Sequence, residues 1–168
     1  MKNKFVIFAL ATPFIILCLL IVRAEYHIQN SEQWQFEITG YDPRDLLRGH
    51  YLQFQIRYDL ANNDKACVDA SNCCLCLTKQ DSKVPLVDLK NCERAKNQCD
   101  GHMLRASADA LNRFYIPEEK ATMAEKILQQ ARNKNNAYLK VAINPIGEAE
   151  IVNLLIGDRP IIDLLSDK

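Results

Sequence analysis

The sequence predicts an α+β protein in which an N-terminal transmembrane helix is followed by a mainly antiparallel β-sheet domain with one packed helix and a cysteine-rich insertion. Three observations predict this class. An uncharged apolar run fills residues 5–22, apolar and polar side chains alternate in several later segments, and six cysteines lie within residues 67–99. Alternation with a period of two is typical of strands that bury one face. A chain of 168 residues has room for one such domain.

The apolar run predicts a membrane anchor. As a helix, residues 5–22 would reach about 27 Å, close to the thickness of the hydrocarbon core of a bilayer. Lys2 and Lys4 precede the run, and the positive-inside rule therefore predicts that residues 1–4 are cytoplasmic and that residues 23–168 are exported. The alternative is a signal peptide cleaved near Ala24. We favour a retained anchor because the apolar run is longer than the core of a typical signal peptide.

The first exported residues predict an antiparallel pair of strands. Every second side chain is apolar in residues 31–38 and again in residues 52–60, which indicates two strands that each bury one face. Gly40 and Pro43 are expected to end the first strand. The connecting loop is dense in charge and contains Asp42, Arg44, Asp45 and Arg48.

Residues 61–100 are predicted to be a polar insertion held together by cysteines rather than by a core, with short strands at residues 74–78 and 84–89. An even number of cysteines in an exported segment indicates disulfides. We expect three bridges, in a connectivity that the spacing leaves open, among Cys67, Cys73, Cys74, Cys76, Cys92 and Cys99. Each bridge would contribute about 2–4 kcal/mol to stability.

Two other interpretations of the cysteines stay open. Their spacing also suits a metal site formed by Cys73, Cys76, Cys99 and His102, because three cysteines and one histidine are a common zinc ligand set. A thiol redox role for residues 73–76 is the third possibility. Disulfides are favoured because an oxidising compartment converts such spacings into bridges. Cys18, in the apolar run, is interpreted as a small apolar side chain.

The last third of the chain predicts strands around a helix. Strands are expected at residues 102–107 and 112–116. Pro117, Glu118 and Glu119 suit the first turn of a helix that extends to about residue 134, with one apolar face. A hairpin of residues 138–143 and 149–156 follows, and residues 161–165 are predicted to form a short final strand.

Three segments resemble a known family. Residues 42–51 are similar to the signature region of the GDYXXLXY family of bacterial membrane-anchored proteins, in which Gly49 and Tyr51 match the naming motif. Residues 113–119 resemble the aromatic-rich segment that precedes the family's helix, and residues 149–157 resemble its closing strand. The resemblance implies a single-pass anchor in the bacterial inner membrane, oriented N-in, and a periplasmic β-rich domain. It also implies a polytopic inner-membrane partner, and it implies no known reaction.

The candidate interaction residues follow from these segments. They are Asp42, Arg44, Asp45, Arg48, Gly49, His50, Tyr51, Arg113 and Tyr115. Guanidinium groups in the loop would also suit a carboxylate or phosphate, so a small-anion site is an alternative to a solvated turn held by ion pairs.

No catalytic pattern is present in the sequence. The serines lie in no nucleophile elbow, and five glycines form no phosphate-binding loop. Lys and Arg equal Asp and Glu at 21 each, so nucleic-acid binding is not expected, and no cofactor is expected either. The sequence therefore predicts a non-enzymatic accessory or interaction subunit of a membrane complex. The alternatives are an exported metal- or thiol-dependent enzyme that uses the cysteine insertion, and a periplasmic binder of small anions.

Overall fold

The computed structural model describes residues 2–42, 51–61, 72–99, 102–105 and 109–166. The chain divides into two compact units, Met1–Ser31 and Glu32–Lys168. The first unit is a single helix, α1 (Lys2–Asn30). Its segment Leu10–Asn30 is long and apolar enough to span a membrane. The predicted apolar helix is therefore present, and it continues beyond residue 22, where the sequence predicted the membrane segment to end.

The second unit is built from strands and short helices. Its strands are β1 (Glu32–Asp42), β2 (Tyr51–Arg57), β3 (Asp59–Leu60), β4 (Cys73–Thr78), β5 (Leu86–Asn91), β6 (Met103–Arg105), β7 (Arg113–Tyr115), β8 (Ala137–Ile143), β9 (Ala149–Ile156) and β10 (Arg159–Pro160). Its helices are α2 (Cys92–Gln98), α3 (Glu118–Arg132) and α4 (Ile161–Ser166). The predicted class, α+β with a mainly antiparallel sheet, is confirmed.

The first sheet has six strands in the order β10-β9-β8-β1-β2-β7, and every neighbouring pair is antiparallel. Its central strand β1 pairs with β8 along Glu32–Glu37 and with β2 from Glu37 onward. The predicted β1–β2 pair and the β8–β9 hairpin are thus present. The predicted break at Gly40 is wrong, because the strand continues to Asp42 and absorbs the glycine as a register shift between Thr39 and Tyr41.

The segment predicted as one strand, residues 52–60, is divided between two sheets. β2 ends at Arg57, and β3 pairs in parallel with β5 in the second sheet. Tyr58 lies at the change of sheet, where its ring packs edge-on against Phe36 with the centroids 5.7 Å apart. Side-chain alternation continues through Tyr58 while the partner strand changes, so the sequence pattern did not reveal the break.

The second sheet, in the order β3-β5-β4-β6, corrects the prediction of an insertion without a core. Five consecutive residues of β4, 73–77, are buried. Leu75 and Leu77 belong to the main hydrophobic core, whereas Cys74 and Cys76 pack in a smaller cluster on the opposite face. Because β4 alternates leucine with cysteine, both of its faces are apolar. The segment is therefore a layer of the domain.

The main core brings the two sheets together with α3 and α4. Its members include Trp34, Phe36, Leu52, Phe54, Leu75, Leu77, Val87, Leu104, Leu128, Leu139, Leu154 and Ile161. The predicted apolar face of α3 is confirmed, with Ala124, Leu128 and Ala131 buried. Pro117 lies at the N-cap of α3 rather than in its first turn.

The predicted final strand at residues 161–165 is wrong, since this segment is the helix α4. Ile161 and Leu165, four residues apart, are buried, whereas Ile162 is 50% exposed. That spacing places the two buried side chains on one helical face. A short run with both four-residue spacing and branched side chains is ambiguous between strand and helix until its partners are known.

A buried asparagine shapes the turn between β8 and β9. The Asn144 side-chain oxygen accepts hydrogen bonds from the backbone N–H groups of Ile146 (3.1 Å) and Glu148 (2.8 Å). Gly147 follows with φ +83°, and a Cβ added there would approach the Met103 carbonyl oxygen to 3.0 Å. Its own carbonyl accepts a hydrogen bond from the Arg105 N–H. The turn therefore requires glycine and joins the first sheet to the second.

Candidate functional site

Four of the residues predicted as an interaction site, Asp42, Tyr51, Arg113 and Tyr115, lie on the neighbouring strands β1, β2 and β7 of the first sheet. Asp42 ends β1 and Tyr51 begins β2, so the charged loop connects these two strands. Arg113 and Tyr115 lie on β7, which is the outermost strand of this sheet in the described part of the chain. Five predicted site residues lie outside the described residues, namely Arg44, Asp45, Arg48, Gly49 and His50.

Strand register brings the two predicted segments together. Tyr51 lies opposite Tyr115, and Gln53 lies opposite both Arg113 on β7 and Asp42 on β1. Residues that directly oppose each other in an antiparallel ladder have Cβ atoms about 4.5–5.5 Å apart. Backbone pairing thus joins the end of the charged loop to the aromatic segment, although the two are far apart in sequence.

Alternation along β7 decides which of its side chains face solvent. Phe114 packs against the main core, whereas Tyr115 is 70% exposed and Arg113 is also exposed. On β2, Leu52 and Phe54 are buried. The apolar side chains of both strands therefore hold this edge on the core, and an aromatic ring and a guanidinium are presented outward.

The model of the GDYXXLXY protein family matches residues 13–154, which is most of the chain. The protein belongs to the GDYXXLXY family. No curated protein and no solved structure matches the chain. In this GDYXXLXY protein, Phe54 stands at the position of the motif's leucine and Ile56 at that of its last tyrosine, and both have a structural role, since Phe54 is 3% exposed and Ile56 packs against the main core. The motif therefore combines core positions on β2 with the charged loop that precedes it.

Two disulfides attach α2 to β4. Cys74 is bonded to Cys92 and Cys76 to Cys99, with Cα–Cα distances of 4.9 Å and 5.3 Å. Cys92 is the first residue of α2 and Cys99 is its C-cap. The helix also begins with a cap, in which the Asn91 side-chain oxygen accepts a hydrogen bond from the Glu93 N–H (3.0 Å). Both ends of this short helix are thus covalently fixed to the sheet.

The remaining cysteines separate into bonded and free. Cys73 is disulfide-bonded as well, and Cys67 lies outside the described residues. Cys18, in α1, is a free and exposed thiol. Cys76 and Cys99, two ligands of the alternative metal site, are bonded to each other, and a disulfide sulfur is not the thiolate that zinc binds. Within the described ranges, no group of three His, Cys, Asp or Glu residues is arranged to hold a metal ion.

Sequence reasoning missed a cleft beside the N-terminal half of β1. It has a volume of about 290 Å³ and is lined by Gln33, Trp34, Gln35, Lys79, Gln80, Ser82, Lys83 and Pro85. Two polar atoms of these residues, Trp34 Nε1 and Gln35 Oε1, are buried and have no hydrogen-bond partner among the described residues. β1 and the segment after β4 meet only in the folded chain, so no local pattern marked the cleft.

Ionisable side chains lie close to Trp34, which lines this cleft. The Glu32 carboxylate pairs with both Lys79 and His102, the latter through Nδ1 at 2.5 Å. The Lys79 Nζ lies 5.6 Å from the centroid of the Trp34 ring, and the His102 ring packs edge-on at 5.2 Å. The acidic side chain therefore holds two basic groups against the one tryptophan of the chain.

A second ion pair lies at the same cleft. The Lys83 ammonium donates a hydrogen bond to the Asp158 carboxylate and lies 5.9 Å from the Tyr138 ring centroid. The hydrogen bond to Asp158 raises the pKa of Lys83, so the ammonium stays protonated throughout the physiological range. Both lysines are well exposed, with 68% and 51% of their side-chain surfaces accessible.

Proposed function

We propose that this GDYXXLXY protein is a non-enzymatic, membrane-anchored subunit that binds a polytopic membrane protein through the edge formed by β2 and β7. The observation that carries the proposal is the pairing of Tyr51 with Tyr115, which joins the family's charged loop and its aromatic segment at one exposed edge. An anchored chain meets a partner in the same membrane by lateral diffusion in two dimensions. In the sequence, the charged loop leads directly into β2, the inner strand of this edge.

The chemistry of the edge favours a protein partner. Tyrosine and arginine are enriched among the residues that dominate binding energy at protein interfaces. Tyr115 and Arg113 are both exposed there, on β7, the outermost strand of the first sheet among the residues that the structure describes. Burial of an exposed tyrosine ring, with its hydroxyl hydrogen-bonded, would supply the centre of such an interface.

The proposal includes a location. We place residues 1–4 in the cytoplasm of a bacterium, α1 in the inner membrane and the β-sheet unit in the periplasm. Lys2 and Lys4 before the apolar run support this orientation. Disulfides in the second unit support an oxidising compartment.

Site-specific photocrosslinking tests the proposed interface. A photoreactive phenylalanine would replace Tyr115 in the full-length protein in native membranes, and the matched control would carry it at Ile146, which is 58% exposed on the β8–β9 turn. We expect one multi-span protein to be captured from position 115 and not from position 146. Equal capture from both positions, or no adduct from position 115, would refute the proposal.

A further inference from the structure

The short helix α2 is held to the second sheet by two disulfides. We propose that α2 and these bridges form a redox-sensitive device, in which reduction of both bridges releases α2 from the sheet while both sheets stay folded. α2 packs on β4, β5 and β6, and none of these strands belongs to the β2–β7 edge. Failure of the interface proposal would therefore leave this device untouched.

Sulfur-containing side chains dominate the packing between α2 and the sheet. The cluster that joins them is formed by Cys74, Cys76, Cys92, Ala95, Cys99 and Met103. Four of these residues are the bridge cysteines. Among the α2 side chains that the structure describes, only Ala95 is buried, at 1% exposed. A single methyl group buries little apolar surface, so the attachment of α2 depends on the bridges.

The other interactions of α2 are too few to hold it in place once the bridges open. The helix has seven residues, and isolated helices shorter than about 12–15 residues are marginal in water. The Asn91 cap and the hydrogen bond from the Cys99 N–H to the Ala95 carbonyl (2.9 Å) are local to the helix. Neither of them holds the helix against β4.

The strands that carry the bridges have a separate source of stability. β4 pairs along its whole length with β5 and along residues 74–76 with β6. On the opposite face of β4, Leu75 and Leu77 belong to the main core, together with Val87 of β5 and Leu104 of β6. Release of α2 would therefore uncover the sulfur-rich face of β4 and leave the strand in both the ladder and the main core.

Thiol–disulfide exchange would open each bridge from its α2 side. Cys92 and Cys99 are half-buried, whereas Cys74 and Cys76 are 0% and 6% exposed, so a thiolate reaches the α2 sulfur first. When a dithiol attacks Cys99, the Cys76 sulfur leaves as a thiolate and takes up a proton. The second thiol of the reductant then displaces Cys99. The reductant leaves as a disulfide, and two electrons and two protons pass to the cysteine pair.

Hydrogen–deuterium exchange tests the device in full-length protein in mild detergent, before and after incubation with dithiothreitol. Thiol labelling and mass spectrometry would verify that the four bridge cysteines are reduced. We expect amide exchange in residues 93–99 to rise about tenfold or more, as in a local opening, and exchange in β4 and β8 to stay unchanged. The proposal is wrong if residues 93–99 stay protected in the reduced protein, if β4 loses protection together with α2, or if the bridges of the folded protein resist millimolar dithiothreitol.

A cysteine variant separates these two bridges from the disulfide at Cys73, which dithiothreitol also opens. All four bridge cysteines are replaced in it, by Cys74→Ala, Cys76→Ala, Cys92→Ala and Cys99→Ala. We expect the variant to show fast exchange in residues 93–99 without reductant and no further increase when dithiothreitol is added. The matched control is Cys18→Ser, which should behave as the wild type in both conditions. Protection of residues 93–99 equal to that of oxidised wild type would refute the assignment to these bridges.

Discussion

Tyr51 and Tyr115 lie directly opposite each other where β2 pairs with β7. One residue ends the charged loop of the family's signature region, and the other belongs to the aromatic segment before α3. Neither segment alone indicates a surface. Because the ladder places them side by side, a single substitution on β7 can test the role of the whole edge.

Tyr115→Ser is expected to abolish copurification of the membrane partner without changing the fold. The ring is 70% exposed, so its loss should alter the free energy of unfolding by about 0.5 kcal/mol or less, whereas loss of an interface anchor costs about 2 kcal/mol or more in binding. The measurement is partner recovery after affinity purification from native membranes, with Tm recorded in parallel. Ile146→Ser is the matched control, and equal recovery from Tyr115→Ser and wild type would contradict the prediction.

Single and paired cysteine substitutions are expected to give different thiol counts. Cys74→Ser should release one new reactive thiol at Cys92, whereas the double variant Cys74→Ser/Cys92→Ser should release none, because the structure bonds these residues to each other. Loss of this bridge, whose cysteines are 18 residues apart, should cost about 3 kcal/mol. Thiol labelling under denaturing conditions and urea unfolding would measure the two effects. Cys18→Ser serves as the control and should leave the unfolding free energy of the sheet domain unchanged.

The same labelling experiment addresses the third bridge. With Cys74, Cys76, Cys92 and Cys99 accounted for, Cys67 is the expected partner of Cys73. Unreduced, unfolded wild-type protein should then expose one thiol, that of Cys18. A count of three would show that Cys67 and Cys73 do not bridge.

Leu154→Ala is expected to destabilise the sheet domain by about 2–5 kcal/mol, because the side chain is fully buried in the main core and its removal leaves a cavity. Ile162→Ala, at a residue that is 50% exposed on α4, should cost far less. Urea unfolding monitored by circular dichroism compares the two variants. Similar losses for both would mean that α4 packs differently from the arrangement described.

Tyr58→Phe is expected to protect the protein at alkaline pH. Burial raises the pKa of Tyr58 above its usual value of 10.0, because desolvation disfavours the phenolate. A group whose pKa is raised on folding contributes stability below pH 10 that is lost as pH rises through the folded pKa. Tyr58→Phe keeps the ring packing against Phe36 and removes this loss. The check is urea unfolding at neutral pH and above pH 10, and an unchanged alkaline loss in the variant would contradict it.

A chain that starts at Glu32 is expected to be recovered in the soluble fraction after export behind a cleavable signal peptide. The two compact units divide at Ser31, so the truncation leaves the sheet unit whole. Fractionation of membranes with and without carbonate washing would compare it with the full-length protein. Retention of the truncated chain in the washed membrane would indicate a second membrane contact.

Local patterns were sufficient for most of the strands and for α3, whereas the interaction site stays a prediction. Alternation predicted β1 and β2 because each has one face on the core, and apolar residues at helical spacing predicted α3. Export and an even number of cysteines predicted disulfides, but they did not predict which cysteines pair. Which cysteines pair is decided by strand register and by α2, and the sequence indicates neither.

The failures share a physical cause, which is dependence on a partner that is distant in the chain. Tyr58 marks a change of sheet that alternation cannot reveal, and the leucines of β4 join a core built mostly by other segments. Ile161 and Leu165 become a helical face only against α3 and β9. The Trp34 cleft likewise requires Lys79 and Lys83 to approach from the loop between β4 and β5. None of these relationships leaves a signal within a short window of sequence.

β2 and β7 are antiparallel neighbours, so everything between residues 58 and 112 is topologically the loop of a hairpin. During evolution, such an inserted segment can be lengthened, shortened or replaced without a change in the strand order of the first sheet. Deletion of this segment would remove part of the main core, which includes Leu75, Leu77, Val87 and Leu104. A relative with a shorter inserted segment would need bulkier side chains on β1 and β2 to fill the same volume of the core. Among relatives, changes in the length of this segment should therefore be accompanied by compensating substitutions on β1 and β2.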